Sequence, residues 1–318
     1  MRQVSANFAS GDSRSTAGRR TREKDETMED FKAKYVNPMT DWGFKRLFGS
    51  EMNKYLLLEF LRSLFPEREI AGISYLRNER QGLSEKERDS VFDVVCTDET
   101  GSEFVVEMQK RSQRHFRDRA LYYASFPIAG QAPRGKWDYS LRPVCVVGVL
   151  NFAMRHEYGG RWRGKVVHRY RLREDETGEI MNSKLEFIYL EVGAFEKGAE
   201  ELEGAVEKWM YALKNLPRLE ERPAELGEEM FARLFEAARI AGYTRDERNQ
   251  YENDMMNEND YWNTIDFARE EGEARGEARG VAETSRRIAK NFLEAGVPAE
   301  QVAACTGLSA EQVEELRK

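Results

Sequence analysis

The chain is poor in cysteine and histidine and has no long apolar run, and each shortage removes a class of protein. Three cysteines in 318 residues, with Cys96 and Cys145 inside strand-like runs, argue against a disulfide framework and for a reducing compartment. A cytoplasmic location is therefore expected. No pairing of cysteine with histidine has the spacing of a zinc site. No stretch is apolar for long enough to cross a bilayer, so no membrane partner is expected. The first 26 residues, MRQVSANFASGDSRSTAGRRTREKDE, are polar and lack the apolar centre of a signal peptide. They open a lead-in over residues 1–36 that reads as disordered.

An overall excess of positive charge is also missing. The net charge is −7, which by itself argues against a nucleic-acid partner. The distribution is uneven, however. Residues 110–173 hold 15 Lys or Arg against three acids, Asp118, Asp138 and Glu157, a local balance of +12. Such a segment suits phosphate binding, or it forms an ordinary solvated face.

Immediately before the basic segment, SVFDVVCTDETGSEFVVEMQKRS places two carboxylates in runs that otherwise read as sheet core. Asp is disfavoured in strands, and a buried unpaired carboxylate is costly, so Asp93 needs solvent or a partner. The turn-rich stretch from Asp98 to Ser102 predicts a hairpin. Closing it with Thr97 opposite Glu103 sets Val95 against Val105, Asp93 against Glu107 and Val91 against Gln109. Strand alternation then gathers Phe92, Val94, Cys96, Phe104, Val106 and Met108 on one apolar face and Asp93, Glu107 and Gln109 on the other. Opposed residues in a ladder have Cβ atoms roughly 4.5–5.5 Å apart, where two carboxylates repel unless a proton or cation intervenes. A hard divalent cation such as Mg²⁺ or Mn²⁺ on Asp93 and Glu107 would relieve the repulsion and serve phosphodiester hydrolysis. The same spacing also suits two surface acids on a wet face.

The remaining pattern is α/β. Thr40 predicts the N-cap of a helix through DWGFKRLFGS, and NKYLLLEFLRSLF repeats apolar residues at helical spacing until Pro66. A short strand near Ile70–Leu76, the hairpin and a helix through RHFRDRALYYASFPIAG follow. RPVCVVGVLNF suits a strand buried on both faces, and VVHRYRLR with LEFIYLEV forms a second pair. The expected fold is a small mixed sheet flanked by helices. Two amphipathic helices come next, and then the composition changes. REEGEARGEARGVAETSRRIAKNFLEAG repeats glycine every four residues at Gly272, Gly276 and Gly280, either as a helix along which a partner helix could approach or as a solvated linker. Homo-oligomerisation through this helix is one expectation. The tail reads as two short helices about Thr306-Gly307-Leu308. The acids Glu311, Glu314 and Glu315 on the second helix favour packing or partner contact over DNA reading.

In their order, NPMTDWGFKRLFG, DVVCTDETGSEFVVEMQKR, RALYYASF, VVGVLNF, EKWMYALKNL and the Glu/Arg/Gly-rich tail resemble the recombination-promoting nuclease/transposase family of the PD-(D/E)XK superfamily. The resemblance runs from about Asn37 to the C-terminus. It implies a restriction-endonuclease-like core over 37–266, a helical extension over 267–318, DNA as partner and metal-dependent endonuclease activity linked to recombination or mobile elements. The family's active-site pattern, an Asp on one strand and Glu-x-Gln-x-Lys on the next, falls on Asp93, Glu107 and Gln109. Its last position is Arg111, with a lysine displaced to Lys110. The resemblance thus implies Asp93 and Glu107 as metal ligands and Gln109 as the residue that orients water or a ligand. Arg111 becomes the phosphate-holding catalytic residue, with Lys45, Lys110 and Arg114 as substrate contacts. Asp41 and Lys45 match the family's N-terminal motif, and Glu59 falls where related nucleases place a further acid. Because arginine stays charged, Arg111 can stabilise negative charge but cannot take a proton from water. A non-catalytic protein on the same fold is the alternative reading.

Overall fold

The computed structural model describes residues 33–76, 79–80, 90–133, 135–154 and 164–317. The expected lead-in lies almost wholly outside these residues, as do Arg134, Arg155, Arg161 and Arg163 of the basic segment.

The first helix, α1 (Asp41–Phe48), starts where Thr40 accepts the Gly43 N–H on its hydroxyl. Glycine is required at position 43, because a Cβ there would lie 2.1 Å from the Asn37 carbonyl oxygen. Helix α2 (Lys54–Leu64) buries Leu56, Leu57, Phe60, Leu61 and Leu64, the residues at helical spacing, and stops before Pro66. Strands β1 (Ile73–Tyr75), β2 (Glu79–Arg80), β3 (Ser90–Val91), β4 (Val94–Asp98) and β5 (Glu103–Gln109) follow. After β5 come α3 (Phe116–Ala129), β6 (Val144–Leu150), β7 (Val167–Arg173) and β8 (Ile180–Glu191). Helices α4 (Gly204–Asn215), α5 (Glu229–Ala237), α6 (Arg245–Glu294), α7 (Ala299–Thr306) and α8 (Ala310–Glu315) complete the chain.

Six strands form one mixed sheet in the order β1-β4-β5-β6-β8-β7, while β2 and β3 form a separate two-stranded ribbon. Strands β5, β6 and β8 run parallel, and the other pairs are antiparallel. All seven residues of β6 are buried, as the uninterrupted run VCVVGVL requires of a strand covered on both faces. On one face, α1, α2, α4 and α5 close a core in which Phe60 meets the Trp209 ring edge-on at 5.4 Å and Trp209 meets Phe231 at 5.1 Å. Helix α3 covers the other face, setting Phe116, Ala120 and Ala124 in a cluster with Val95, Val105 and Val146. Each large side chain so buried contributes roughly 1.5–3 kcal/mol.

The hairpin turn holds together through Asp98, whose Oδ1 accepts from the Thr100 N–H, the Thr100 hydroxyl and the Ser102 N–H. Gly101 provides the positive φ of 80° that this turn needs. The register matches the sequence expectation from Thr97 opposite Glu103 to Val94 opposite Val106. Beyond Val94 the ladder stops, and three expectations are corrected. Asp93 occupies a bend rather than a ladder position opposite Glu107. Val91 pairs with Glu79 in the small ribbon, not with Gln109. Phe92 crosses to the α3 side, where it meets Tyr123 at 5.1 Å, instead of joining Val94 and Cys96. The cause is local: once backbone pairing with β5 ends, the two-residue alternation no longer constrains the preceding side chain.

The chain divides into two compact units at Met255/Met256. The second contains the rest of α6 with α7 and α8, around Ala289, Val302 and Val313. Gly307 turns between the last two helices at φ 70°, and Ser309 and Gln312 form a capping box at the start of α8. The Gly/Arg/Glu repeat is helical throughout, as part of α6. Among the described residues no helix is long and apolar enough to cross a membrane.

Candidate active site

The bend at Asp93 builds a small polar site at the end of the hairpin. Strand alternation directs Val105, Glu107 and Gln109 to the α3 side of the sheet, and both polar residues are buried to 8% exposure. The Asp93 N–H donates to Glu107 Oε1 at 3.2 Å, and Asp93 Oδ2 accepts the Met108 N–H at 2.8 Å. The two carboxylates are therefore interlocked through each other's strands, although they do not face one another across a ladder. Gln109 follows Glu107 on the same face, about 7 Å along β5.

Burial dominates the electrostatics here. It raises the Asp93 carboxyl, against the lowering effects of the Met108 N–H and the Lys45 charge. Burial together with the neighbouring Asp93 pushes Glu107 up to about 8. The fields of Arg119 and Lys45 oppose this shift but do not cancel it.

Lys45 reaches the site from α1. At the end of that helix a Cβ on Gly49 would lie 2.9 Å from the Lys45 carbonyl oxygen and 3.4 Å from Val94, the residue next to Asp93. The Lys45 ammonium bonds Asp41 at 2.8–2.9 Å. Burial disfavours its charge, yet the Asp41 hydrogen bond and the charges of Asp41, Asp93 and Asp254 hold its pKa above the ordinary value. Trp42 anchors the start of α1, donating its main-chain N–H to Asp254 at 2.9 Å and its indole N–H to Gln250 at 3.0 Å.

The structure brings Asp93, Glu107, Gln109 and Lys45 together. The other sequence-derived candidates lie in the connection from β5 to α3: Lys110 and Arg111 are half-buried in the bend after Gln109, and Arg114 is exposed just before α3. Glu59 is instead held by Arg62 at 2.7 Å on α2.

Three features were missed by sequence reasoning. Arg119, in the first turn of α3, adds a positive field at both acids, and its guanidinium donates to Gln113 at 2.6 Å. Its signal is an arginine one helical turn into the element that follows β5. Gly148 lies beside Glu107 in the sheet, and Tyr189 lies beside Gly148. A Cβ at position 148 would approach the Tyr189 ring to 2.7 Å, so glycine lets that ring lie across β6 toward the acids. His168 and Glu191, both buried and 3.1 Å apart, belong to the two strands that continue the sheet beyond Gly148. A one-strand motif carries no trace of these cross-strand neighbours.

The donor set suits a hard divalent cation. Two adjoining carboxylates, one of them raised to about 8 by burial and by the charge of the other, gain from a cation between them. Mg²⁺ takes one or two protein carboxylates and completes its shell with water and substrate phosphate. Among the described residues no third Asp, Glu, His or Cys joins the pair, so the site fits that open arrangement rather than a closed protein cage.

Comparison with known proteins shows the family. Searches of curated proteins and of solved structures find no match. A profile of the PD-(D/E)XK nuclease family transposases matches residues 38–268, which include α1, the hairpin, α3 and the whole six-stranded sheet. With that match over more than half its length, and with the mixed sheet and flanking helices of an α/β nuclease core, the chain belongs to the PD-(D/E)XK nuclease family transposases.

Proposed function

We propose that the protein is a metal-dependent DNA endonuclease that hydrolyses phosphodiester bonds, with Asp93 and Glu107 holding Mg²⁺ or Mn²⁺. The observation that carries this reading is the reciprocal main-chain bonding that holds the half-buried Asp93 carboxylate next to the buried Glu107 carboxylate. A divalent cation bound there would lower the pKa of a coordinated water and neutralise charge on the scissile phosphate. Gln109, on the same face as Glu107, orients the water or a ligand through its amide. Arg111 grips the phosphate with its fork of donors, supported by Lys110 and Arg114. Lys45, kept charged by Asp41, adds a fixed positive field beside the acids.

The test is nicking of supercoiled plasmid by the purified chain with Mg²⁺, Mn²⁺ or chelator, beside Asp93→Ala and Glu107→Ala. Nicking that needs metal and disappears in both variants supports the assignment. A folded Asp93→Ala protein that still nicks in Mg²⁺ would sink it.

One observation favours a second reading, a catalytically impaired member of the family that binds nucleic acid or assembles. It is Arg111 at the position where the family pattern has lysine. Wild-type protein that binds DNA but nicks under none of these metals selects that reading. Assembly through α6 belongs to the same proposal: Phe267, Val281 and Ile288 are exposed along it. The mass in solution of the full chain against one ending at Asp266 tests it. The link to recombination or mobile elements and the cytoplasmic location are parts of the proposal that rest on the family and on cysteine usage.

A further inference from the structure

Aromatic side chains crowd the outer side of α3 and the loop that follows it. Tyr122 is 44% exposed on α3, with its ring edge-on to Phe126 at 4.9 Å. After α3, Gln131 accepts the Arg142 N–H at 2.7 Å and donates to the Arg142 carbonyl at 3.2 Å. That pair of hydrogen bonds between side-chain amide and backbone closes the loop at its neck. Within it, Trp137 and Tyr139 lie with ring centroids 5.0 Å apart and planes tilted by 34°. Tyr139 is 80% exposed and has a φ of 61°, a conformation that a bulky residue rarely adopts. A loop clamped at its neck that holds a strained aromatic out in solvent is built to present the ring, not to bury it.

Along α3 and the loop, among the described residues, the exposed cations Arg114, Arg117, Lys136 and Arg142 outnumber the exposed acids Asp118 and Asp138. Helix α3 leads from the catalytic pair, where Arg119 acts on both acids, to the clamped loop, over about 21 Å for 14 residues. Basic residues that track a backbone, interleaved with exposed rings, are what unpaired bases require; in a duplex the base faces are already stacked.

We propose that Tyr122 and the Trp137–Tyr139 pair form a stacking track for unpaired bases, so that the DNA substrate is single-stranded or locally melted beside the bond to be cut. This deepens the nuclease reading and rests on it for the identity of the bond, but its binding component is independent of catalysis. The experiment measures fluorescence anisotropy of one labelled oligonucleotide, single-stranded or annealed to its complement, with the full chain in chelator at fixed salt. The wild type is expected to prefer the single strand. Trp137→Ala and Tyr139→Ala are each expected to lower single-strand affinity about 5- to 150-fold, with duplex affinity unchanged within about twofold. Trp137→Phe and Tyr139→Phe, which keep a ring, should restore most of it. Equal affinity for both forms, equal losses on both forms, losses that a ring does not restore, or no effect of either alanine would overturn the track. The last of these outcomes would mark the patch as a protein-contact surface. Plasmid nicking measured in parallel separates the two claims: single-strand preference without nicking in Mg²⁺ or Mn²⁺ defeats the nuclease reading and leaves the track standing.

Discussion

Two glutamates of the same sheet are buried in opposite ways. Glu186 on β8, 1% exposed, accepts from Arg169 at 3.1 Å and from Arg171 at 2.8 Å, with Arg68 at 3.7 Å. Arg169 is itself fixed by a second bond, to the Leu64 carbonyl oxygen. Glu107 on β5, 8% exposed, accepts one main-chain N–H, and that N–H belongs to Asp93, a second acid. The first carboxylate has been supplied with cations by the fold, as a buried charge normally must be. The second has been placed against its own kind. That contrast supports the proposal that Asp93 and Glu107 receive a cation.

The sharpest way to break this comparison is through activity. Asp93→Ala or Glu107→Ala should lower plasmid nicking by about 10³-fold or more, since each removes a ligand whose cation is worth several kcal/mol in the transition state. Glu186→Gln should leave nicking per folded molecule within about twofold, because Glu186 and its arginines belong to the opposite face of the sheet. Equal losses at both positions would show that the contrast reflects folding alone.

Stability should reverse the ranking. Glu186→Ala leaves three arginines clustered without their shared anion, a change that costs about 3–5 kcal/mol in buried pairs. The lower end is expected in urea unfolding, because Arg68, Arg169 and Arg171 remain a fifth to a third exposed. Glu107→Gln, by contrast, should stabilise the metal-free protein.

The pH dependence of that gain has a definite sign. Glu107 titrates near 8 in the folded chain and near its ordinary value unfolded, so between these limits the folded state binds the extra proton. Stability of the metal-free wild type should therefore fall as pH rises through that window and level off above about 8. The Glu107→Gln protein should keep only the smaller slope that the raised Asp93 carboxyl contributes. Because a cation requires the ionised pair, added Mn²⁺ should raise the wild-type melting temperature more at pH 9 than at pH 6 and leave Glu107→Gln unmoved. Thermal melts of both proteins across pH, with metal and with chelator, decide it.

Much of this was legible in the chain and some was not, for local reasons. The hairpin register from Val94 to Thr97 followed from one turn and one alternating pattern, both short-range. Thr40 as a cap and Val144–Leu150 as a doubly covered strand were equally local. Asp93 was placed near Glu107 for a reason only partly right: a backbone bend brings them together, and a bend leaves no periodic signature. Glu186 carries no signal of its own in the sequence, because its arginines come from Arg68 before the sheet and from β7. The role of Gly148 depends on which ring crosses it from the neighbouring strand, a fact that belongs to sheet order and not to sequence spacing.

The smallest expected effect concerns the residue on which the two readings of the protein divide. If Arg111 is a damaged lysine, Arg111→Lys should raise turnover by orders of magnitude. The proposed mechanism argues otherwise, because it takes a lysine from another element: Lys45 lies on α1 one turn from Gly49, whose Cβ would approach Val94, and its ammonium bonds Asp41. In that mechanism Lys45 supplies the positive field that a lysine at the end of the motif would add, and Arg111 supplies a two-pronged grip on phosphate. Arg111→Lys should then change kcat by less than about tenfold while KM rises by a similar factor, the loss expected when a bidentate contact becomes a point charge. Lys45→Met should lower kcat at nearly constant KM. A hundredfold gain in kcat from Arg111→Lys would instead place the missing cation at position 111 and make the wild-type chain the impaired form.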